Sequence, residues 1–268
     1  MAQTRLPTHF IPHGGGPCFF MDPPAGHPHL WDPMADYLRD LGANLATPPK
    51  ALLVISAHWE EKVPTLNVAA APELLFDYYG FPDHTYQLRY PAPGAPWLAD
   101  RVESLLRGAA FDVGRETQRG WDHGVFIPMM VAFPEATLPI LQMSMLDTLD
   151  PDAHLRLGKA LTPLRDEGVL IIGSGMSYHN LRAFYGSSGQ GEAAAFDGWL
   201  TGAIQSPETR SQALTHWRDA PSARFCHPRE EHLLPLMVAA GAGDADPGRQ
   251  TFQGNIFGKA VSGYAFGP

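Results

Sequence analysis

Three apolar runs of strand length constrain this chain most: KALLVISAH at 50–58, TLPILQMSM at 137–145 and GVLIIGSG at 168–175. Runs this short and this continuously apolar suit strands buried on both faces of a sheet. Between and around them lie segments with helical spacing. WDPMADYLRDLGANL carries Trp31, Met34, Tyr37, Leu38 and Leu41 at such spacing, with Asp32 before Pro33 as a start and Gly42 as a stop. Residues 95–110 and 151–168 read as helices too, the second with Pro151 near a first turn, where proline is tolerated. Helices are also expected at 192–205, 211–219 and 229–241. Further strands are expected at 8–12, 64–71, 85–91, 111–114, 252–258 and 261–267. Strands alternating with helices define an α/β class. The uneven spacing predicts a single domain over 1–268, with a central mixed β-sheet flanked by helices and its active site at strand ends.

Charge narrows the partners. The formal net charge is -9, and no basic run occurs. An acidic chain of this kind is a poor binder of nucleic acid or of an anionic membrane, so a small molecule or another protein is the expected partner. Only two cysteines occur, Cys18 and Cys226, with no CxxC pair. A disulfide framework or a cysteine zinc module is therefore not expected, and the cysteine usage fits a reduced, cytoplasmic protein. The start, MAQTRLPTHFIPHGGG, lacks an apolar core of signal-peptide length. No apolar run approaches bilayer-spanning length.

The histidines carry the chemistry. His13 in FIPHGGGP, His58 in LLVISAHWE, His123 in GWDHGVF and His179 in LIIGSGMSYHN stand where apolar runs end in small, polar or glycine residues. His232 opens an apolar helical stretch in REEHLLPLMVAA. Histidine binds metals and moves protons, and several at separate strand ends suggest one shared site. His13 and His58 can converge on one ion. His123 and His179 fit a ligand, a proton carrier or a substrate contact equally well. Near His232, the residues His227, Glu230 and Glu231 could each supply a ligand, and spacing does not choose among them; an acidic pair also suits the first turn of a helix. His9, His27, His29, His84, His154 and His216 read as surface or locally bonded residues, and Met129 and Met130 as core. HGGG at 13–16 has no accompanying G-x-S-x-G elbow, GSG lacks the third glycine of a dinucleotide loop, and neither a P-loop nor H-E-x-x-H is present.

Taken in order, PHGGGP, SAHWE, RGWDHGVFIPMMVAFPEA, PILQMSM, GSGMSYHNLR and HPREEHLLPLMVAAGA resemble the class III (LigB-type) extradiol ring-cleavage dioxygenases, most closely the bacterial DOPA 4,5-dioxygenase-like branch. The likeness covers nearly the whole chain. It implies a non-haem metal on His13 and His58 with His232 as third ligand, where another branch uses a glutamate; Glu230 and Glu231 stand beside that position. It implies His179 as acid/base, able also to sit on the metal, and His123 in contact with substrate. The implied working metal is Fe(II), with Zn(II) able to occupy the same nitrogens without doing the redox step. The implied partners are O2 and a catechol-type aromatic ring, in a monomer or small homo-oligomer. Plant members carry a longer motif after the acid/base histidine; here the sequence continues NLRAF, so the resemblance does not name the catechol. Two alternatives differ in class: a zinc-dependent hydrolase, and a non-catalytic metal- or ligand-binding member of the same fold. Oxygen uptake separates the first, and metal content the second.

Overall fold

The computed structural model describes residues 5–186 and 188–268. The leader reading rests partly on residues 1–4, which lie outside them. Eight strands form one mixed sheet: β1 (Thr8–Pro12), β2 (Ala51–Glu61), β3 (Thr65–Asn67), β4 (Gly114–Glu116), β5 (Ile140–Leu146), β6 (Val169–Gly175), β7 (Gly248–Ile256) and β8 (Lys259–Phe266). Their order is β4-β3-β5-β2-β6-β1-β8-β7. The central four, β5, β2, β6 and β1, run parallel. β3 joins β5 antiparallel, and β8 and β7 close the other side as an antiparallel pair. Every residue of β1, β5 and β6 is buried, which is why those runs lack polar alternation.

The helices are α1 (Asp32–Ala43), α2 (Pro96–Gly108), α3 (His123–Ala132), α4 (Pro151–Leu161), α5 (Gln190–Ile204), α6 (Arg210–Thr215), α7 (Ala223–Cys226) and α8 (Leu234–Gly243). α3 and α8 cover opposite faces of the central strands. Ser174 of β6 reaches Gly124 of α3, whereas the flanking Gly173 and Gly175 lie against Pro235 and His232. Alternation along a strand puts those neighbours on opposite sides. A Cβ at Gly175 would lie 2.2 Å from the His232 carbonyl, so only glycine lets the approach to α8 reach the sheet this closely. α4 packs over α8, which is buried along its whole length.

Several expectations need correction. Residues 85–91 form no strand; Asp83–Gln87 is a 3-10 turn, fixed by Thr85 Oγ1 donating to the Pro82 carbonyl at 2.7 Å and by Tyr78 Oη donating to the Thr85 carbonyl at 2.7 Å. The strand expected at 111–114 begins at Gly114, and the one at 64–71 shortens to Thr65–Asn67. The helix expected from 229 starts at Leu234, because Arg229–Leu233 form turns that carry His232 to the sheet. α3 has no counterpart in the periodicity reading. It is buried on all sides apart from Met130 and contains Pro128, so it shows neither an amphipathic period nor uninterrupted helix formers. His9 and His154 are buried rather than at the surface. His154 keeps its local bonding, with its ring paired to the Asp150 carbonyl and the Leu146 amide.

Candidate metal centre

His13 lies one residue beyond β1, and His58 lies near the end of β2, between Ile55 and Glu60, where pairing with β5 slips register. Such irregularities re-aim side chains. His123 is the first residue of α3, His179 follows β6, and His232 precedes α8. Five segments distant in sequence thus meet at the carboxyl ends of the parallel strands. Ring centroids lie 5.0 Å apart for His13 and His58, 3.9 Å for His58 and His123, 5.3 Å for His13 and His232, and 4.8 Å for His58 and His232. His179 stacks on His232 at 3.3 Å.

What holds each ring decides what it can do. Pro128 has no N–H to give the Gly124 carbonyl four residues back. Ser174 Oγ donates to that carbonyl instead, which spends its only proton. Its lone pair then accepts from His13 Nδ1 at 3.1 Å, leaving His13 Nε2 without a proton. Asp77 Oδ1 accepts from His123 Nδ1 at 2.8 Å and from its backbone N–H at 2.9 Å, and Asp77 Oδ2 faces His58 Nδ1 at 3.6 Å. Glu231 Oε1 takes His232 Nδ1 at 2.9 Å and His179 Nδ1 at 3.2 Å. Asp77 therefore orients His123, and Glu231 orients His179 and His232, each by Nδ1, with Nε2 turned away from the carboxylate.

The electrostatics agree. Burial, reinforced by the neighbouring imidazoles, holds His13 and His232 well below the ordinary histidine value, and burial followed by His123 lowers His58 to about 4. Burial pushes the Asp77 carboxyl up, but its bond to His123 and the nearby imidazoles outweigh this and leave it below the usual range. Glu231 is likewise lowered: burial pushes it up, but its bond to His179, its own backbone amide and Arg229 together outweigh this. Neutral imidazoles backed by ionised carboxylates are the second-sphere arrangement of metal-binding histidines.

Geometry supplies a direct test of fit. His13 Nε2 and His58 Nε2 lie 3.2 Å apart. Two nitrogens at roughly 2.0–2.1 Å from one ion, subtending about 90–110°, would be separated by about 2.8–3.4 Å. The donor atoms of His13, His58 and His123 all lie within 4.8 Å of one another, as do those of His179, Glu231 and His232. A metal fits beside His13 and His58; His123 completes the group whose donor atoms lie together, and the His232 ring stands 5.3 and 4.8 Å from those of His13 and His58.

The neighbours divide clearly. Glu230 is held by Arg218 and Arg224, the latter at 2.6 Å, and is committed to that pairing. His227 is buried, with Nε2 at 2.9 Å from the Ser177 carbonyl, and supports the turn before His179. Sequence reasoning missed Asp77, Ser174 and Asp122. Asp122 accepts from Ser56 Oγ and Gln142 Nε2, both at 2.6 Å, and so ties β2 and β5 to the start of α3. Gly124 completes that junction: a Cβ there would stand 2.3 Å from Ser56 Oγ. The WDHG motif held a signal for Asp122 and Gly124, whereas Asp77 sits in a segment with no helix or strand and carried none.

A family model described as the catalytic LigB subunit of aromatic ring-opening dioxygenase matches residues 7–265. Dioxygenase tasH of Hapsidospora irregularis is 38% identical over 99% of this chain and 88% of its own length. A 4,5-DOPA dioxygenase extradiol of Beta vulgaris is 45% identical over 72% of this chain and 73% of its own. The crystal structure of the uncharacterized protein JW3007 from Escherichia coli K12 superposes with a TM-score of 0.77 at 27% identity, covering 98% of this chain and 100% of that one. Among the described residues, no helix is long and apolar enough to cross a membrane.

Proposed function

Because the chain belongs to the LigB family of aromatic ring-opening extradiol dioxygenases, we propose that it opens a catechol-type ring with O2, holding Fe(II) on His13, His58 and His232. The observation that supports this most is orientation: imidazoles from separate segments are gripped through Nδ1 from outside and present Nε2 inward. Iron, when bound, supplies the redox chemistry between ring and O2 that no side chain can. Everything else falls to the chain. His179, its Nδ1 on Glu231, takes a catechol proton at Nε2 and returns it as the ring opens; Glu231 stabilises the imidazolium in between. His123 accepts from a substrate hydroxyl through Nε2 while Asp77 fixes its ring, and donates once protonated. Buried side chains around the cluster exclude bulk water.

The test begins with anaerobic Fe(II) loading, followed by a catechol panel and then air. Oxygen uptake with a yellow ring-opened product is expected; no uptake with any catechol would refute the activity. His232→Ala should lose bound metal and His123→Ala should keep it. The reverse result moves His123 into the ligand set. His179→Gln should retain metal and lose turnover.

A further inference from the structure

The cavity that opens onto this cluster has a volume of about 310 Å3 and carries a second message in its walls. Beyond the histidines the wall is built from Met21, Trp31, Phe81, Phe184, Tyr185 and Phe257. Phe257 packs against Tyr185 at 5.1 Å and Phe184 at 5.8 Å between ring centroids, so three rings form one continuous apolar surface. Among the described residues, no Lys, Arg, Asp or Glu lines the cavity. Burial also pushes the Cys18 thiol up to about 12, which keeps it neutral. Glu231 approaches only from behind His179 and His232, and already accepts from both.

A catechol bound through its hydroxyls at the histidines must project its substituent along this wall. A carboxylate or ammonium lying against it would give up part of its hydration and meet no charged Lys, Arg, Asp or Glu side chain, which is costly. An apolar chain would instead gain by burial. We infer that the ring this site accepts carries an uncharged, apolar substituent, an alkyl- or arylcatechol rather than a catechol amino acid, amine or acid. The inference rests on the catechol dioxygenase reading for the orientation of the ring. It separates this chain from the DOPA named in its Beta vulgaris relative.

Propylcatechol, dihydrocaffeate, dopamine and L-DOPA share the ring and differ in charge. Calorimetry on the zinc-loaded protein reads their Kd without turnover, and oxygen uptake by the Fe(II) enzyme reads kcat/KM. Propylcatechol should bind at least about tenfold more tightly than each charged analogue, a difference of about 1.4 kcal/mol. Tyr185 is 73% exposed, so Tyr185→Lys should leave the fold intact. It should narrow the gap to dihydrocaffeate severalfold while leaving dopamine weak. L-DOPA binding as tightly as propylcatechol, or an unchanged dihydrocaffeate gap in Tyr185→Lys, overturns the inference. If the Kd order holds but no catechol drives oxygen uptake, the apolar pocket stands and the dioxygenase activity falls.

Discussion

Two buried polar clusters sit at opposite ends of the same sheet and obey opposite rules. At the amino ends of β1 and β6, Arg165 donates to the carbonyls of Leu6 and Ala242 at 2.7 and 3.1 Å and to Asp246 at 2.6 Å. Arg210 nearby is bound to the Ile204, Asp244 and Asp246 carbonyls and stacks on Phe266 at 4.9 Å. Charge there is paired and closed. At the carboxyl ends, His13, His123, His179 and His232 are held through their outer nitrogens, and the Nε2 atoms of His13 and His58 face each other at 3.2 Å. A fold answers its buried polar groups where they serve structure. Where it orients them and leaves one side open, the missing partner is a ligand.

Acid should break the contrast most strongly. His58 at the open end, and His227 behind it, are held to about 4 by burial, with His9 shifted the same way. Between pH 6.5 and 4 the unfolded chain therefore binds more protons than the native one, and stability falls as pH falls. The arginine cluster does not titrate in that window. Thermal unfolding of metal-free protein across that range should show a steadily falling midpoint; a flat profile contradicts the buried, neutral assignment.

Arg165→Met should come next, at about 3 kcal/mol of stability by urea denaturation, because Asp246 and two carbonyls lose their partner. Zinc affinity of the folded fraction should stay within about twofold. Glu231→Gln should do the reverse, reducing metal affinity or turnover by about 10–100-fold with little change in unfolding. The adjacent Glu230→Gln should leave both metal affinity and turnover in place, since that carboxylate serves Arg218 and Arg224. Equal losses from the two neighbours would erase the distinction between them. The smallest effect belongs to Pro128→Ala. It restores an N–H able to compete with Ser174 for the Gly124 carbonyl, and should weaken zinc binding severalfold in a competition assay.

The legible parts of this molecule are those whose physics is local or repeated. The runs around β2, β5 and β6 announce buried strands, and α1, α2 and α4 announce themselves by amphipathic spacing or a proline in the first turn. Histidines at strand ends pointed to a shared site, and the ordered family blocks gave them roles. The supporting groups were harder to see. Asp77 comes from irregular chain, Ser174 looks like any serine in a buried strand, and α3 is too uniformly buried to show a period. Choosing between Glu230 and Glu231 required knowing which way each side chain turns, and adjacent residues in a turn carry no such information.

Asp77 sits on a stretch of chain, 68–82, that has no helix or strand of its own. It nevertheless anchors His123 and faces His58, so whatever binds those rings is also bound to the docking of that stretch. A ligand of the docked form suppresses its opening by mass action. Tyr79, two residues further on, is 91% exposed and offers a chymotryptic cleavage point. Resistance to nicking there should rise with zinc concentration, turning a protease into a gauge of how full the site is.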